Sequence, residues 1–119
     1  MNRILADDRG NATILAAFAI AALTSIIVIV LYLGAAVVAR HRAQSAADLA
    51  ALAAAIAHAG ADGEPCAAAR DLASAQHPPA VLAECRLDGD DVVVRARIPV
   101  ELGGLGIRDA TAQARAGPV

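Results

Sequence analysis

Three histidines are the first residues to test for metal chemistry. His41, His58 and His77 are separated by 17 and 19 residues, and none stands in a His-Glu-x-x-His pattern or beside a Cys-x-x-Cys pair. Zinc ligands are usually supplied by such short spacings. We therefore expect ordinary surface histidines, no metal site and no cofactor.

Two glycine-containing segments resemble ligand-binding loops in composition only. Asp88, Asp90 and Asp91 surround Gly89, but no glutamate follows at the spacing of a calcium loop. Acidic residues beside glycine instead favour a hairpin turn. Residues 103–106 read Gly-Gly-Leu-Gly without a following Lys-Ser or Lys-Thr, which predicts a flexible loop rather than a phosphate-binding loop.

No spacing in the chain supports a reaction, so we expect no catalytic residues and no enzyme. Arg95 and Arg97 lie two positions apart on a predicted strand and therefore project from one face. An anionic partner could bind there, although a solvated face is the usual role of such pairs. The net charge of −2 supplies no basic field for nucleic acid, so no nucleic-acid partner is expected.

Cys66 and Cys85 are the only cysteines. In an oxidising compartment they would pair, close a loop of about 20 residues and stabilise the fold by about 3 kcal/mol. The alternative is two free buried thiols in a cytoplasmic tail.

The elements that must position these residues begin with an uncharged run. Residues 10–39 contain no charged side chain and no proline, whereas a bilayer crossing needs only about 20 apolar residues. The run exceeds the roughly 7–15 apolar residues of a signal peptide, and no small-residue cleavage site closes it. We predict a leader over 1–10, a transmembrane helix over 11–39, its extramembrane continuation over 40–59 and a small domain over 60–119.

Charge alone does not orient this helix. Arg3, Arg9 and the amino terminus precede it, and Arg40 and Arg42 follow it, so the positive-inside count is nearly even. A disulfide favours an extracytoplasmic C-terminal domain. We expect a single-pass protein of the cytoplasmic membrane, with its N-terminus inside and its C-terminal domain outside, where it could reach the cell surface.

The helical pattern continues from about Ala12 to Ala57, because the first breaker beyond the run is Gly60. Leu49, Leu52 and Ile56 form a stripe that we expect to cover a sheet. Alanines also recur at every fourth position, as small residues do where helices pack closely. High helix propensity and the abundance of alanine explain this row equally well. The row comprises Ala35, Ala39, Ala43, Ala47, Ala51, Ala55 and Ala59.

The last sixty residues predict a short helix from Cys66 to Ala75 and an antiparallel sheet of three strands. A two-residue turn at Asp88-Gly89 would pair Cys85 with Val92, and a four-residue loop would pair Leu87 with Val92. In either register Val81, Ala83 and Cys85 lie on the side of the sheet that the helix covers. The expected fold is α+β, with the long transmembrane helix continuing as an alanine-rich stalk packed on a small sheet.

This arrangement resembles a type IV pilin and, more closely, the TadE/TadG-like pilus-assembly proteins. The resemblance covers nearly the whole chain and is greatest to an actinobacterial branch encoded near helicase and secretion genes. Its most specific part, residues 40–53, reads Arg-His-Arg-Ala-Gln-Ser-Ala-Ala-Asp-Leu-Ala-Ala-Leu-Ala. It also includes Asp-Arg-Gly-Asn-Ala-Thr at residues 8–13, the segment from Gly34 to Arg40, the segment from Cys85 to Val94 and the Ala-Arg-Ala-Gly-Pro ending.

The resemblance implies cleavage by a prepilin peptidase after Gly10, with Asn11 as the new N-terminus, and helix packing with other pilin-like or Tad assembly proteins. Pilins usually carry a glutamate five residues into the mature chain, where this chain has Leu15 and no carboxylate. The implied function is a minor or accessory subunit of a Tad-type pilus or related secretion apparatus. The alternative is a membrane-anchored or secreted binding module or effector that does not polymerise.

Overall fold

The computed structural model describes residues 2–61, 63–101 and 106–119, with the side chains of all of these except residues 2–9, Glu101 and Ile107. The chain divides into two compact units, residues 1–34 and residues 35–119. The predicted α+β class is confirmed. The elements are α1 (Asn2–Gly60), α2 (Pro65–Ser74), β1 (Val81–Asp88), β2 (Asp91–Glu101) and β3 (Ile107–Ala116).

The first unit is helical over all its described residues, because it contains no proline and is rich in helix-forming apolar side chains. The hydroxyls of Thr24 and Ser25 donate to the carbonyls of Ile20 and Ala21 at 2.8 Å. Each hydroxyl is thereby satisfied without water, as an apolar environment requires. Among the described residues, α1 is the one helix long and apolar enough to cross a membrane, which fits a single-pass anchor.

The second unit contains a three-stranded antiparallel sheet in the order β1-β2-β3. Leu87 pairs with Val92, which is the second of the two predicted registers. Asp88 also pairs with Asp91, so the turn itself has two residues, Gly89 and Asp90, rather than four. Side chains alternate along the central strand, and one face of β2 is buried. This face comprises Val92, Val94, Ala96 and Ile98.

The prediction that Val81 and Ala83 lie on the covered side of the sheet is wrong. A register shift between Leu82 and Glu84 places an extra residue in β1, and one extra residue reverses which side chains point inward. Leu82 therefore packs against the core, while Val81 is half exposed. Cys85 lies beyond the shift and packs against the core as predicted.

The short helix α2 begins at Pro65, where a first-turn proline has no N–H to leave unpaired. The Glu64 carboxylate accepts hydrogen bonds from the backbone N–H groups of Cys66, at 3.0 Å, and Ala67, at 2.7 Å. This side-chain cap satisfies donors that the first helical turn leaves free. Ala69 and Ala73 are buried, so α2 closes one side of the core.

Candidate functional site

The surface of α1 that packs on the sheet consists of alanines. Their side chains are almost fully buried and belong to one core cluster with Val92 and Val94, which are the largest fully buried side chains among the described residues. Such small side chains let the helix backbone come close to the strand, and the valines fill the space between them. The alanine face comprises Ala43, Ala46, Ala47, Ala50, Ala51 and Ala54.

The prediction that Leu49, Leu52 and Ile56 cover the sheet is wrong. These side chains are 43%, 52% and 64% exposed. With 3.6 residues per turn, Leu52 lies roughly 180° around the helix from Ala43. The larger apolar residues thus form an unpartnered stripe on the side of α1 opposite the sheet.

The alanine row predicted for packing between helices is divided in the same way. Ala39, Ala43 and Ala47 are buried within their own chain, whereas Ala35 is exposed. The sheet therefore occupies the middle of the row. Packing of α1 on a helix of another protein stays a prediction, for which Ala35 and the Leu49, Leu52 and Ile56 stripe remain accessible.

Two hydrogen bonds show that the sheet lies along α1. Gln44 Nε2 donates to the carbonyl of Gln113 in β3 at 3.4 Å, and His58 Nε2 lies 3.1 Å from the carbonyl oxygen of Gly89 in the first turn. Gln44 and His58 are 14 residues apart, about 21 Å along a helix. The turn between β1 and β2 therefore lies beside the C-terminal end of α1.

The arginines on the outer face of the sheet have acidic partners in the same chain. Arg95 lies 3.7 Å from Glu84 and Arg97 lies 3.7 Å from Asp109, and Arg95 also donates to the side chain of Gln113 at 3.3 Å. These cross-strand pairs stand at the surface, where such interactions contribute little. Arg95 and Arg97 therefore belong to a surface on which positive and negative side chains alternate, rather than to a basic patch.

The Arg115 guanidinium forms ion pairs with two aspartates that flank the first turn. Arg115 donates to Asp91 at 2.7 Å and to Asp88 at 2.9 Å, and Asp91 first, then Asp88, raises the pKa of the Arg115 guanidinium. Because the folded pKa of Arg115 is the higher one, the guanidinium stays protonated for as long as the two carboxylates are ionised, and at high pH the pairing is lost only as pH rises through the folded pKa. Arg115 is therefore charged throughout the physiological range.

The described side chains contain no group of three or more His, Cys, Asp or Glu residues able to hold a metal ion. The expectations of no metal, no cofactor and no enzyme stay predictions. Residues 103–105 of the predicted flexible loop lie outside the described residues.

Cys66 and Cys85 form a disulfide with a Cα–Cα distance of 5.9 Å. The bridge ties α2 to β1, so one covalent link holds together two elements that pack on the same core. Of the two alternatives left open by the sequence, the structure contains the paired cysteines.

Gly10 and Asn11 are exposed on α1. A methyl group added at Gly10 or at Gly34 would meet no atom within 4 Å. Neither glycine is therefore required by the packing of the chain on itself. This property makes both positions suitable for substitution without loss of the fold.

The comparisons with curated proteins and with solved structures found no match. The model of one protein family, described as Putative Flp pilus-assembly TadE/G-like, matches residues 10–62. These residues include the uncharged run and the part of α1 that packs on the sheet. Residues 10–62 of this chain are therefore a TadE/G-like segment, which confirms the resemblance to the TadE-like pilus-assembly proteins.

Proposed function

We propose that this chain is a pilin-like, TadE-like minor or accessory subunit of a Tad-type pilus or a related secretion apparatus. The match of the TadE/G-like family to residues 10–62 carries the proposal. It coincides with the helix that is long and apolar enough to anchor the chain in a membrane. The absence of a carboxylate at Leu15 is the reason for a minor rather than a major subunit.

The proposed layout has residues 1–10 in the cytoplasm, residues 11–39 in the membrane and residues 40–119 outside. The disulfide between Cys66 and Cys85 supports this orientation, because disulfides persist in oxidising compartments and not in the cytoplasm. The chain then presents the sheet, α2 and the last third of α1 to other components of the envelope. Its partners in this layout are the lipid bilayer, other pilin-like or Tad assembly proteins and a prepilin peptidase.

The Leu49, Leu52 and Ile56 stripe is the surface proposed to contact another assembly protein. Its side chains are apolar, exposed and aligned along one side of α1, as in helices that pack through residues three and four apart. Burial of such a stripe in a partner would remove the exposed apolar area without disturbing the core.

Crosslinking in host membranes tests this surface. Leu52→Cys or Ile56→Cys, labelled with a thiol-specific photoreactive crosslinker, is expected to form a covalent adduct on illumination, because each position is exposed on the proposed contact. Such a reagent needs no cysteine in the partner. Asp90→Cys is the matched control, since this exposed turn residue lies beside the C-terminal end of α1 and outside the stripe. Adducts should be identified by mass spectrometry of the excised band. Absence of an adduct from the stripe, or equal yield from Asp90→Cys, would support a monomeric anchored module instead.

Processing is the second test. Similarity to pilins predicts that the mature chain begins at Asn11, so its intact mass should be lower by that of the first ten residues. Gly10→Val should block cleavage, whereas Gly34→Val should not, since both glycines have open space around them. The measurement is intact mass of the protein extracted from host membranes. A wild-type chain that still begins at Met1 would exclude processing at this site.

A further inference from the structure

A cavity of about 400 Å³ lies within the second unit, between α1 and the strands β2 and β3. Val100 and Arg108, which pair across β2 and β3, form one side of it. Ala36, Ala39 and Arg40 of α1 form the other side. Cavities of roughly 300–1,000 Å³ hold small ligands in proteins. The volume is therefore sufficient for a headgroup-sized molecule.

The cavity lies at the end of the uncharged run. Residues 10–39 rise about 45 Å as a helix, which equals the roughly 40–45 Å thickness of a bilayer with both headgroup layers. Arg40 is the first charged residue after this run. A chain anchored by these residues has Arg40, and with it the cavity, at the depth of the lipid headgroups, whichever end faces the cytoplasm.

Two guanidinium groups at the cavity have no carboxylate partner among the described side chains. Arg40 and Arg108 are both exposed, and neither has a carboxylate within 4.0 Å among the side chains that the structure describes. The acidic residue that lines the cavity, Asp109, lies 3.7 Å from Arg97, which shares its charge. Arginine binds phosphate oxygens through two parallel N–H donors. A phosphate group is therefore the ligand that these two side chains fit.

The remaining lining has the character of a site for an amphiphile. Ala36, Ala39, Val100 and Ala110 supply apolar surface, and the hydroxyl of Thr111 supplies one more polar group. A free anion would gain nothing from the apolar wall. The glycerol backbone and the first methylene groups of a lipid would be covered by it.

We propose that this cavity binds the phosphate headgroup of an anionic phospholipid, with Arg40 and Arg108 as the phosphate ligands. A zwitterionic headgroup such as phosphocholine is disfavoured, because its positively charged ammonium group would be repelled by the two arginines. The proposal rests on the membrane anchoring in the proposed function and does not depend on pilus assembly. A chain that fractionates with membranes but retains no lipid would leave the anchoring intact and exclude the lipid site.

Native mass spectrometry of the full chain released from detergent micelles tests the proposal. With equal amounts of phosphatidylglycerol and phosphatidylcholine in the micelles, the retained lipid should be phosphatidylglycerol. Arg40→Gln or Arg108→Gln should weaken its retention about tenfold or more, and Arg40→Lys should have an intermediate effect because lysine keeps the charge without the paired donors. Arg42→Gln, which removes the same charge two residues along α1 but does not line the cavity, should change retention less than twofold.

Three results would overturn the assignment. Equal retention of both lipids would mean that the headgroup is not recognised. If Arg42→Gln lowered lipid retention as much as Arg40→Gln or Arg108→Gln, retention would depend on overall positive charge and not on the cavity. Displacement of the lipid by inorganic phosphate at the same concentration would make the site one for a free anion. Hydrogen exchange of the β2 amides serves as the folding control for every variant, since substitution of exposed arginines should leave this exchange unchanged.

Discussion

Replacement of both Cys66 and Cys85 by serine is expected to destabilise the second unit by about 3 kcal/mol. The bridge joins residues 19 apart, and the loop-entropy relation assigns about this free energy to a loop of about 20 residues. Burial of apolar side chains contributes little to the stability of this core, because it consists mainly of alanines and the largest fully buried side chains among the described residues are two valines. A side chain of that size contributes at most about 1.5–3 kcal/mol. Loss of the bridge therefore removes a large share of the unit's stability.

Hydrogen exchange of the full chain in detergent micelles measures this loss. The amides of β2 should exchange roughly a hundredfold faster in the double serine variant, since each 1.4 kcal/mol is a factor of ten. Reduction of the wild-type disulfide should reproduce the effect, and the same reductant should not alter the serine variant. The amides of residues 14–30 provide the internal control. Unchanged protection of β2 would mean that the bridge does not constrain the fold, and free thiols in protein from host membranes would contradict an extracytoplasmic domain.

The elements predicted from sequence are those that local rules determine. The uncharged run indicated the helix, and Pro65 together with His77-Pro78 bounded α2 to within one residue at each end. The third strand is predicted by the strict alternation of Ala110, Ala112, Ala114 and Ala116 with polar residues. In the structure these alanines lie on the core side of β3, where Ala114 is buried and the others are half-buried. These signals need no knowledge of tertiary contacts, which is why they are reliable in a single sequence.

The errors arise where tertiary packing decides between local alternatives. The β-bulge in β1 leaves no mark in an alternating pattern, and it reversed the inward side chains before Cys85. The second error concerns which face of α1 packs on the sheet. Leu49, Leu52 and Ile56 are more hydrophobic than alanine, so hydrophobicity alone favours their burial, but they are exposed. Valines on β2 already fill the interface, so the small residues, not the large ones, fit against them.

The helix start also differed from expectation, since α1 begins at Asn2 rather than near Ala12. The leader contains no breaker before Gly10, and one glycine costs only about 1 kcal/mol in a helix. The cavity between α1 and β2–β3 was not predicted at all. Arg40 and Arg108 are 68 positions apart in the chain, and their shared place at the cavity depends on how β3 packs along α1, which no local pattern encodes.

Glutamate introduced at position 50 or at the adjacent position 49 distinguishes the buried face of α1 from the exposed one. Ala50→Glu is expected to destabilise the second unit by about 3–5 kcal/mol, because it places an unpaired carboxylate in the core. Ala50 is fully buried there. Leu49→Glu is expected to change stability by less than about 0.5 kcal/mol, since that side chain is 43% exposed. Both variants place glutamate in the same turn of the same helix, so helix propensity and net charge are matched.

The same exchange measurement on β2 reports the difference between these variants. Protection should be abolished in Ala50→Glu and retained in Leu49→Glu, and the reverse order would mean that the leucine stripe faces the sheet after all. If Leu49→Glu keeps the fold but loses the crosslinked adduct of Ile56→Cys when the two are combined, the stripe is needed by a partner and not by its own domain. The alanine face then determines the fold of the second unit, and the opposite face its association.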